Sequence, residues 1–301
     1  MNSARRDPPR RPGFYDGAHG IAHVLDEFEY HELADVLLAQ IAPMIGTISD
    51  HSLRSGLAGV GLNLLHLSRL RNQPHYSEMA TDIGDRLINA LSTAPPPSSR
   101  ARAGLLHGWS GPALLFVRLY EHTGDPSWLN HADKALRRDL AECVRTPDGS
   151  LQVRDGLRTL PYLEIGSAGI TLVTLELLRH RPQSPCVAAM PGLRRGLLSE
   201  FVIQPGLMLG RAGLIAALAA IQHWQPTAHT EQILHRHLHR LAWHAVAFRE
   251  HIAFPGNQLR RLSMDVTTGS AGILLALSTA AHGHHPVLPF LTNQPTRPTR
   301  S

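Results

Sequence analysis

The chain predicts an all-α fold, a double-layered α/α toroid with six inner-helix repeats. A Gly-x-x-Gly pattern recurs at Gly17–Gly20, Gly56–Gly59, Gly108–Gly111, Gly166–Gly169, Gly210–Gly213 and Gly269–Gly272. Gaps of 39, 52, 58, 44 and 59 residues between first glycines suit a stacked unit of two helices and their loops. The apolar content of 43% is rich in Leu, Ala and Ile, while aromatics make up only 5%. That balance favours helices over strands.

Taken in order, each motif opens an apolar run: 21–27, 60–70, 112–122, 170–179, 214–224 and 273–281. These runs are hydrophobic nearly all round, as buried inner helices are. Amphipathic stretches lie between them at 31–45, 76–91, 126–140, 193–201 and 231–248, and are read as the outer ring. Asp125 before Pro126 supplies a helix start, a capping side chain followed by proline at the first helical position. Two glycines three residues apart share a helical face, where missing side chains let neighbouring backbones approach. One domain is expected over 13–285, flanked by a disordered Arg/Pro-rich segment, 1–12, and a disordered Pro/Thr-rich tail, 286–301.

Composition narrows the functional classes. The net charge of +5 is spread over scattered arginines, without the basic stripe and stacking aromatics of a nucleic-acid binder. Cys143 and Cys186 have neither disulfide-framework nor zinc-site spacing. The N-terminus has no apolar segment of a secretory signal, and the longest apolar stretch, 207–224, matches the other repeats and contains Arg211. A cytoplasmic protein that binds no membrane is expected.

If the inner helices all start at one end, their N-termini bring unpaired N–H groups and partial positive charge to one mouth, favourable to anions. The residues directly before the motifs are Asp16, Ser55, His107, Ile165, Leu209 and Thr268; one place earlier stand Tyr15, Arg54, Leu106, Glu164, Met208 and Thr267. His107 is the natural acid/base, because imidazole exchanges protons near neutrality; it could equally be a hydrogen-bonder at a helix start, with Trp109 beside it. Tyr162, Glu164 and Arg211 form a second group, which either does chemistry or pairs internally and with loop backbone. Asp155 and Asp265 lie in loops leading toward the mouth, where they face it or cap helices. On the 235–240 stretch His235 and His239 share a helical face but His237 points elsewhere, so no metal centre is read there. The His-Gly-His-His tail at 282–285 is no stronger a metal motif.

The strings GFYDGAHGIAHVL, SLRSGLAGVGLNLLHL, GLLHGWSGPALLFVRLYEHTGDPSWL, LPYLEIGSAGI, QPGLMLGRAGLI and MDVTTGSAGILLAL resemble the cyclase domain of lanthipeptide synthetases, most closely the class III type. The likeness to this LanC-like family runs over about residues 13–281. It implies a double toroid with seven inner helices that joins a peptide cysteine thiol to dehydroalanine or dehydrobutyrine. Zinc-dependent relatives carry a cysteine two places before one glycine and Cys-His-Gly at the next motif. Glu164, Met208 and Leu209 stand there in this chain, so the resemblance implies no zinc and no cofactor. The family histidine before a motif glycine corresponds to His107. A family aspartate corresponds to Ser52, with Asp50 offset nearby. The sequence carries no kinase or lyase region and six motifs rather than seven. Separate kinase and lyase proteins are therefore expected. The ring either closes with six helices, is completed by a partner, or is a truncated relic.

The resemblance and the mouth residues together predict a zinc-independent lanthipeptide cyclase acting on a dehydrated precursor peptide to form lanthionine or labionin rings. In this reading His107 takes the thiol proton and returns it to carbon, Arg211 and the helix N-termini stabilise thiolate and enolate, and Tyr162 and Glu164 carry protons or touch the peptide. Trp109, Asp16, Arg54 and Asp265 bind substrate. Two alternatives stay open: a non-catalytic scaffold that binds a precursor peptide or synthetase proteins, and a carbohydrate-processing toroid. The latter needs two carboxyl groups about 5–9.5 Å apart and sugar-stacking aromatics, which are few in this chain.

Overall fold

The computed structural model describes residues 11–95, 102–282 and 288–291. The expected terminal segments fall largely outside that range, as do His284 and His285. Two compact units are present, one built from 11–95 and 106–135, the other from 102–105, 136–282 and 288–291.

The first unit contains α1 (Ala18–Glu27), α2 (His31–Ile45), α3 (Leu57–Arg71), α4 (Pro74–Thr93), α5 (Ser110–Thr123) and most of α6 (Ser127–Leu140). The motif helices α3 and α5 are buried over most of their length, and α4 packs along both. The amphipathic α2 lays Ala34, Leu37, Leu38 and Ile41 against Ala18 and Ala22 of α1 and Leu67 of α3. The same α1–α2 pair leaves Ile21, Val24, Phe28, Leu33 and Val36 exposed. Asp125 accepts hydrogen bonds from the Ser127 amide and hydroxyl at 2.8 and 2.7 Å, setting the start of α6.

The second unit contains an antiparallel meander of β1 (Cys143–Arg145), β2 (Leu151–Asp155) and β3 (Arg158–Leu160), followed by α7 (Ser167–His180) and α8 (Met190–Gly196). Then come α9 (Arg211–Trp224), α10 (Ala228–Ala242), a hairpin of β4 (Val246–Phe248) and β5 (His251–Ala253), and α11 (Ser270–His282). Helix α9 is buried from Arg211 to Ile221 and packs against α7, α10 and α11.

The strands correct the expectation of helices and loops alone. Asp148-Gly149 and Asp155-Gly156 turn the meander, with φ of +80° and +61° at the glycines, a hairpin signal legible in the sequence. The outer helix expected over 193–201 stops at Gly196, and that expected over 231–248 stops at Ala242. Beyond Ala242 the strand-favouring Val246, Phe248 and Ile252 pair across a turn at Arg249-Glu250.

The Gly-x-x-Gly motif also works differently from a shared helical face. Its first glycine is the helix cap at Gly17, Gly56, Gly166 and Gly210, so these helices start earlier than their apolar runs. The loop before each helix folds back over its start. The amides of Ala18, His19, Leu57, Ala58, Ala168, Gly169, Arg211 and Ala212 donate to carbonyls seven residues earlier, and Ser270 does the same. The next carbonyl is then pressed onto the second glycine. A Cβ on Gly20, Gly59, Gly169, Gly213 or Gly272 would collide with the carbonyl oxygen of Phe14, Leu53, Leu163, Leu207 or Val266, respectively. At Gly166 the fold-back also requires φ of +139°, conformational space that side chains disfavour. Neighbouring repeats do approach here as well: Phe14, Leu105, Leu163 and Leu207 pack onto the second glycine of the following motif. Val266, equivalent in the sixth motif, is 42% exposed.

These caps narrow the premise of unpaired N–H groups at the mouth. In α1, α3, α7, α9 and α11 one or two amides of the first turn are bound to loop carbonyls, so fewer donors face outward than the helix starts alone would offer.

Candidate functional site

Backbone hydrogen bonds stitch the pre-motif loops together through the position two before each glycine. In the first unit Tyr15 N–H donates to Arg54 O at 2.9 Å and Arg54 N–H to Leu106 O at 3.0 Å. The loops carrying Asp16, Ser55 and His107 therefore lie side by side over the starts of α1, α3 and α5. Ser55 Oγ donates to Asp16 Oδ2 at 2.6 Å, and Arg54 Nε stands 3.8 Å from the same oxygen. Asp16 Oδ1 and the Tyr15 hydroxyl are buried with no hydrogen-bond partner among the described residues; burial raises the Tyr15 phenol above its ordinary range. His107 is half-buried, one residue ahead of the motif glycine.

Trp109 caps α5 and is buried. Its indole is covered by the imidazole of His51, with ring centroids 4.2 Å apart and planes 9° apart. Burial lowers the His51 pKa, opposed by the charge of Asp50. Asp50 itself accepts from the Ser52 amide and hydroxyl at 2.8 and 2.9 Å. The Ser52 hydroxyl in turn accepts from Ser55 N–H at 3.3 Å, so both residues shape the loop.

The second unit repeats the stitching, with Glu164 N–H to Met208 O at 2.9 Å and Met208 N–H to Thr267 O at 3.0 Å. Glu164 is 6% exposed. Tyr162 is half-buried, and burial raises its pKa against the pull of Arg158 and Arg211, which places it within electrostatic reach of Arg211. The Arg211 guanidinium is committed to the scaffold. It donates to the carbonyls of Val202 at 2.9 Å and Glu200 at 3.3 Å and meets His237 Nδ1 at 3.0 Å. Because an arginine can only donate, His237 Nδ1 accepts and its Nε2–H reaches Leu197 O at 3.1 Å. Burial, with help from Arg211, pushes this imidazole down to about 4.

His235 and His239 are exposed on α10 while His237 faces inward. Asp265 is absorbed by its own loop, accepting from Ser263 Oγ, from Thr268 N–H at 2.6 Å and from Thr268 Oγ1 at 2.9 Å. Burial raises its pKa, but these bonds outweigh it and hold the carboxyl low. Asp155 pairs with Arg158 at 2.6 Å on the exposed hairpin. Glu164, Met208 and Leu209 do not fit a zinc ion: Met208 is buried, Leu209 offers no donor, and a single carboxylate is left.

The structure thus gathers Asp16 and Arg54 around Ser55, with the His107 loop against them and Trp109 under His51. In the other unit it sets Tyr162 near Arg211. His51 escaped the sequence reading, and the bonding of Ser55 and His237, both named there, was not foreseen. Ser55 was visible as a motif neighbour, whereas the partners of His51 and His237 lie 58 and 26 residues away.

Motif helices capped by folded-back loops, with a stitched loop layer above them, define an α/α repeat protein. No protein-family model matches the chain. Among solved structures it is similar to nisin cyclase, with a TM-score of 0.61 over 94% of this chain and 78% of that one at 16% identity. That likeness shows the fold class, an α/α toroid. Among curated proteins it is 38% identical, over 97% of its length, to "Probable SapB synthase" of Streptomyces coelicolor (strain ATCC BAA-471 / A3(2) / M145). The chain spans about a third, 32%, of that relative. The resemblance to the cyclase domain of lanthipeptide synthetases is borne out by these two likenesses. No helix among the described residues is long and apolar enough to cross a membrane.

Proposed function

We propose that the chain is a zinc-independent lanthipeptide cyclase, adding peptide cysteine thiols to dehydroalanine or dehydrobutyrine to close (methyl)lanthionine or labionin rings. The observation that carries this reading is the 38% identity to Probable SapB synthase along nearly the whole chain. The thiol, with a free pKa of about 8.5, must lose its proton for sulfur to attack the β-carbon. His107 accepts that proton. As the C–S bond forms, the alkene electrons move onto the α-carbon and carbonyl, giving an enolate. His107 then returns the proton to the α-carbon, so no external oxidant or reductant is consumed.

With one or two first-turn amides of these helices paired, side chains stabilise the negative charge. Arg54, whose side chain is 41% exposed, takes that role in place of the scaffold-bound Arg211. Asp16, whose side chain is 20% exposed, contacts the peptide, and Trp109 with His51 forms an apolar wall. Tyr162 and Glu164 contact the peptide. Dehydration of the precursor falls to a kinase and a lyase as separate proteins. A cytoplasmic setting suits the reaction because it keeps substrate thiols reduced.

The test is a cyclisation assay with the whole chain, no added zinc and a dehydrated precursor peptide, read by loss of alkylatable thiol and fragmentation mass spectrometry. Wild type should accelerate ring closure, and His107→Ala should lose roughly 100-fold or more of that rate with unchanged circular dichroism. Closure no faster than the spontaneous reaction, with peptide binding kept, would replace this reading with the scaffold.

A further inference from the structure

Away from the loop layer, α1 and α3 bring together two imidazoles and a carboxylate. His23 and Glu27 are one helical turn apart on α1, and His66 faces them from α3, about 13 Å along that helix from its start. One ligand atom from each lies within 4.8 Å of the others. His66 Nε2 is 3.2 Å from Glu27 Oε1, and the two imidazole centroids are 4.5 Å apart. Zinc bonds to nitrogen and oxygen of about 2.0–2.2 Å set tetrahedral ligand atoms roughly 3.3–3.6 Å apart. One edge of the cluster already has about this length, and modest side-chain rotation closes the rest.

The surrounding hydrogen bonds prepare His23 for ligation. Asn63 Nδ2 donates to the His19 carbonyl at 3.3 Å and faces His19 Nδ1 at 3.1 Å. That fixes the amide orientation, so Asn63 Oδ1 must accept from His23 Nδ1–H at 3.2 Å. The lone pair of His23 is thereby left on Nε2. A metal-binding histidine characteristically donates its other ring N–H to such a partner. Adjacent Asp26 is committed to Arg71 and His31, which leaves Glu27 as the carboxylate of the set. Its side chain is 35% exposed, giving an ion a route in and room for a water as fourth ligand.

We propose that His23, Glu27 and His66 bind one zinc-class divalent ion that clips α1 onto α3. Two histidines and one carboxylate with an open fourth position suit such an ion. The site lies apart from the motif loops and does not depend on the cyclase reading.

The experiment uses the full chain, free of any affinity tag and stripped with chelator. Zn²⁺ is titrated by calorimetry and Co²⁺ by its visible absorption. One ion should bind per chain and raise the melting temperature. Glu27→Gln and His66→Gln, checked by circular dichroism, should each weaken binding at least tenfold. A His235→Gln/His239→Gln variant on exposed α10 should bind as wild type. A readout that needs no variant is the change in the imidazole NMR signals of His23 and His66 on adding Zn²⁺. The proposal is overturned by absence of saturable binding, by unchanged affinity in both folded variants, or by imidazole signals of His23 and His66 that do not move with zinc.

Discussion

The imidazole of His51 lies flat on the indole of Trp109, centroids 4.2 Å apart, and so joins the loop before α3 to the start of α5. Trp109 is buried at this junction, so Trp109→Ala should destabilise by about 3–5 kcal/mol. His51→Ala should lose the stacking alone, about 0.5–1.5 kcal/mol. Urea-denaturation midpoints of the two variants check the order; equal costs would mean that the stack does not organise the loop.

Arg54 and Arg211 should separate function from stability. Arg54→Ala is expected to slow cyclisation roughly 100-fold, the scale of losing one anion-stabilising donor, while changing stability by under about 0.5 kcal/mol. Arg211→Ala strips donors from the Val202 and Glu200 carbonyls and His237, each deprived group costing about 1–3 kcal/mol. Its melting temperature should fall clearly. Parallel rate and melting measurements decide, and a stable Arg211→Ala with a large rate defect would return Arg211 to the chemistry.

The motif glycines predict a contrast between two alanine substitutions. At Gly169 a Cβ meets the Leu163 carbonyl and the Leu105 backbone, so Gly169→Ala should cost about 1–3 kcal/mol or more. At Gly46 the space is open and φ is −59°. Gly46→Ala should be neutral or stabilise by up to about 1 kcal/mol. Denaturation midpoints again supply the comparison.

Acid should unfold the protein in a defined window. Burial holds His19 and His237 down to about 4 in the fold, from an ordinary value of 6.5. Around His237, Arg211 and Arg240 push the same way, whereas Glu200 and the Leu197 carbonyl oppose. Between these values the unfolded chain binds more protons than the folded one. The stabilisation is complete above about pH 6.5 and is lost as pH falls toward 4. The urea midpoint should drop over that window, and less steeply in His237→Asn. A wild-type midpoint flat from pH 6.5 to 4 would contradict the neutral, buried state of both rings.

Much of the helical frame was legible because each motif helix announces itself by a glycine pair and an apolar run. The amphipathic periods likewise located α2, α4 and α6. The meander at 143–160 was missed although Asp148-Gly149 and Asp155-Gly156 signalled it; attention to period 3.6 obscured a period of two. The site was legible as a set of positions, those just before the glycines, since their place in the repeat is a one-dimensional fact. Their bonding was not. Asp16 and Ser55 lie 39 residues apart, and Arg211 and His237 lie 26 apart.

By itself, then, the sequence determined the repeat, the helical class, the six glycine pairs and the set of mouth residues. Local chemistry suffices for these, because a cap or an apolar period acts within a few residues of its own chain. Only the tertiary structure decided which donors were already spent. It turned the helix amides inward onto loop carbonyls, committed Arg211 to α10 and its loop, closed the Asp265 turn, and faced His66 toward His23 and Glu27. Those outcomes depend on which distant groups reach hydrogen-bonding distance once the backbone is packed, and spacing along a chain does not encode that distance.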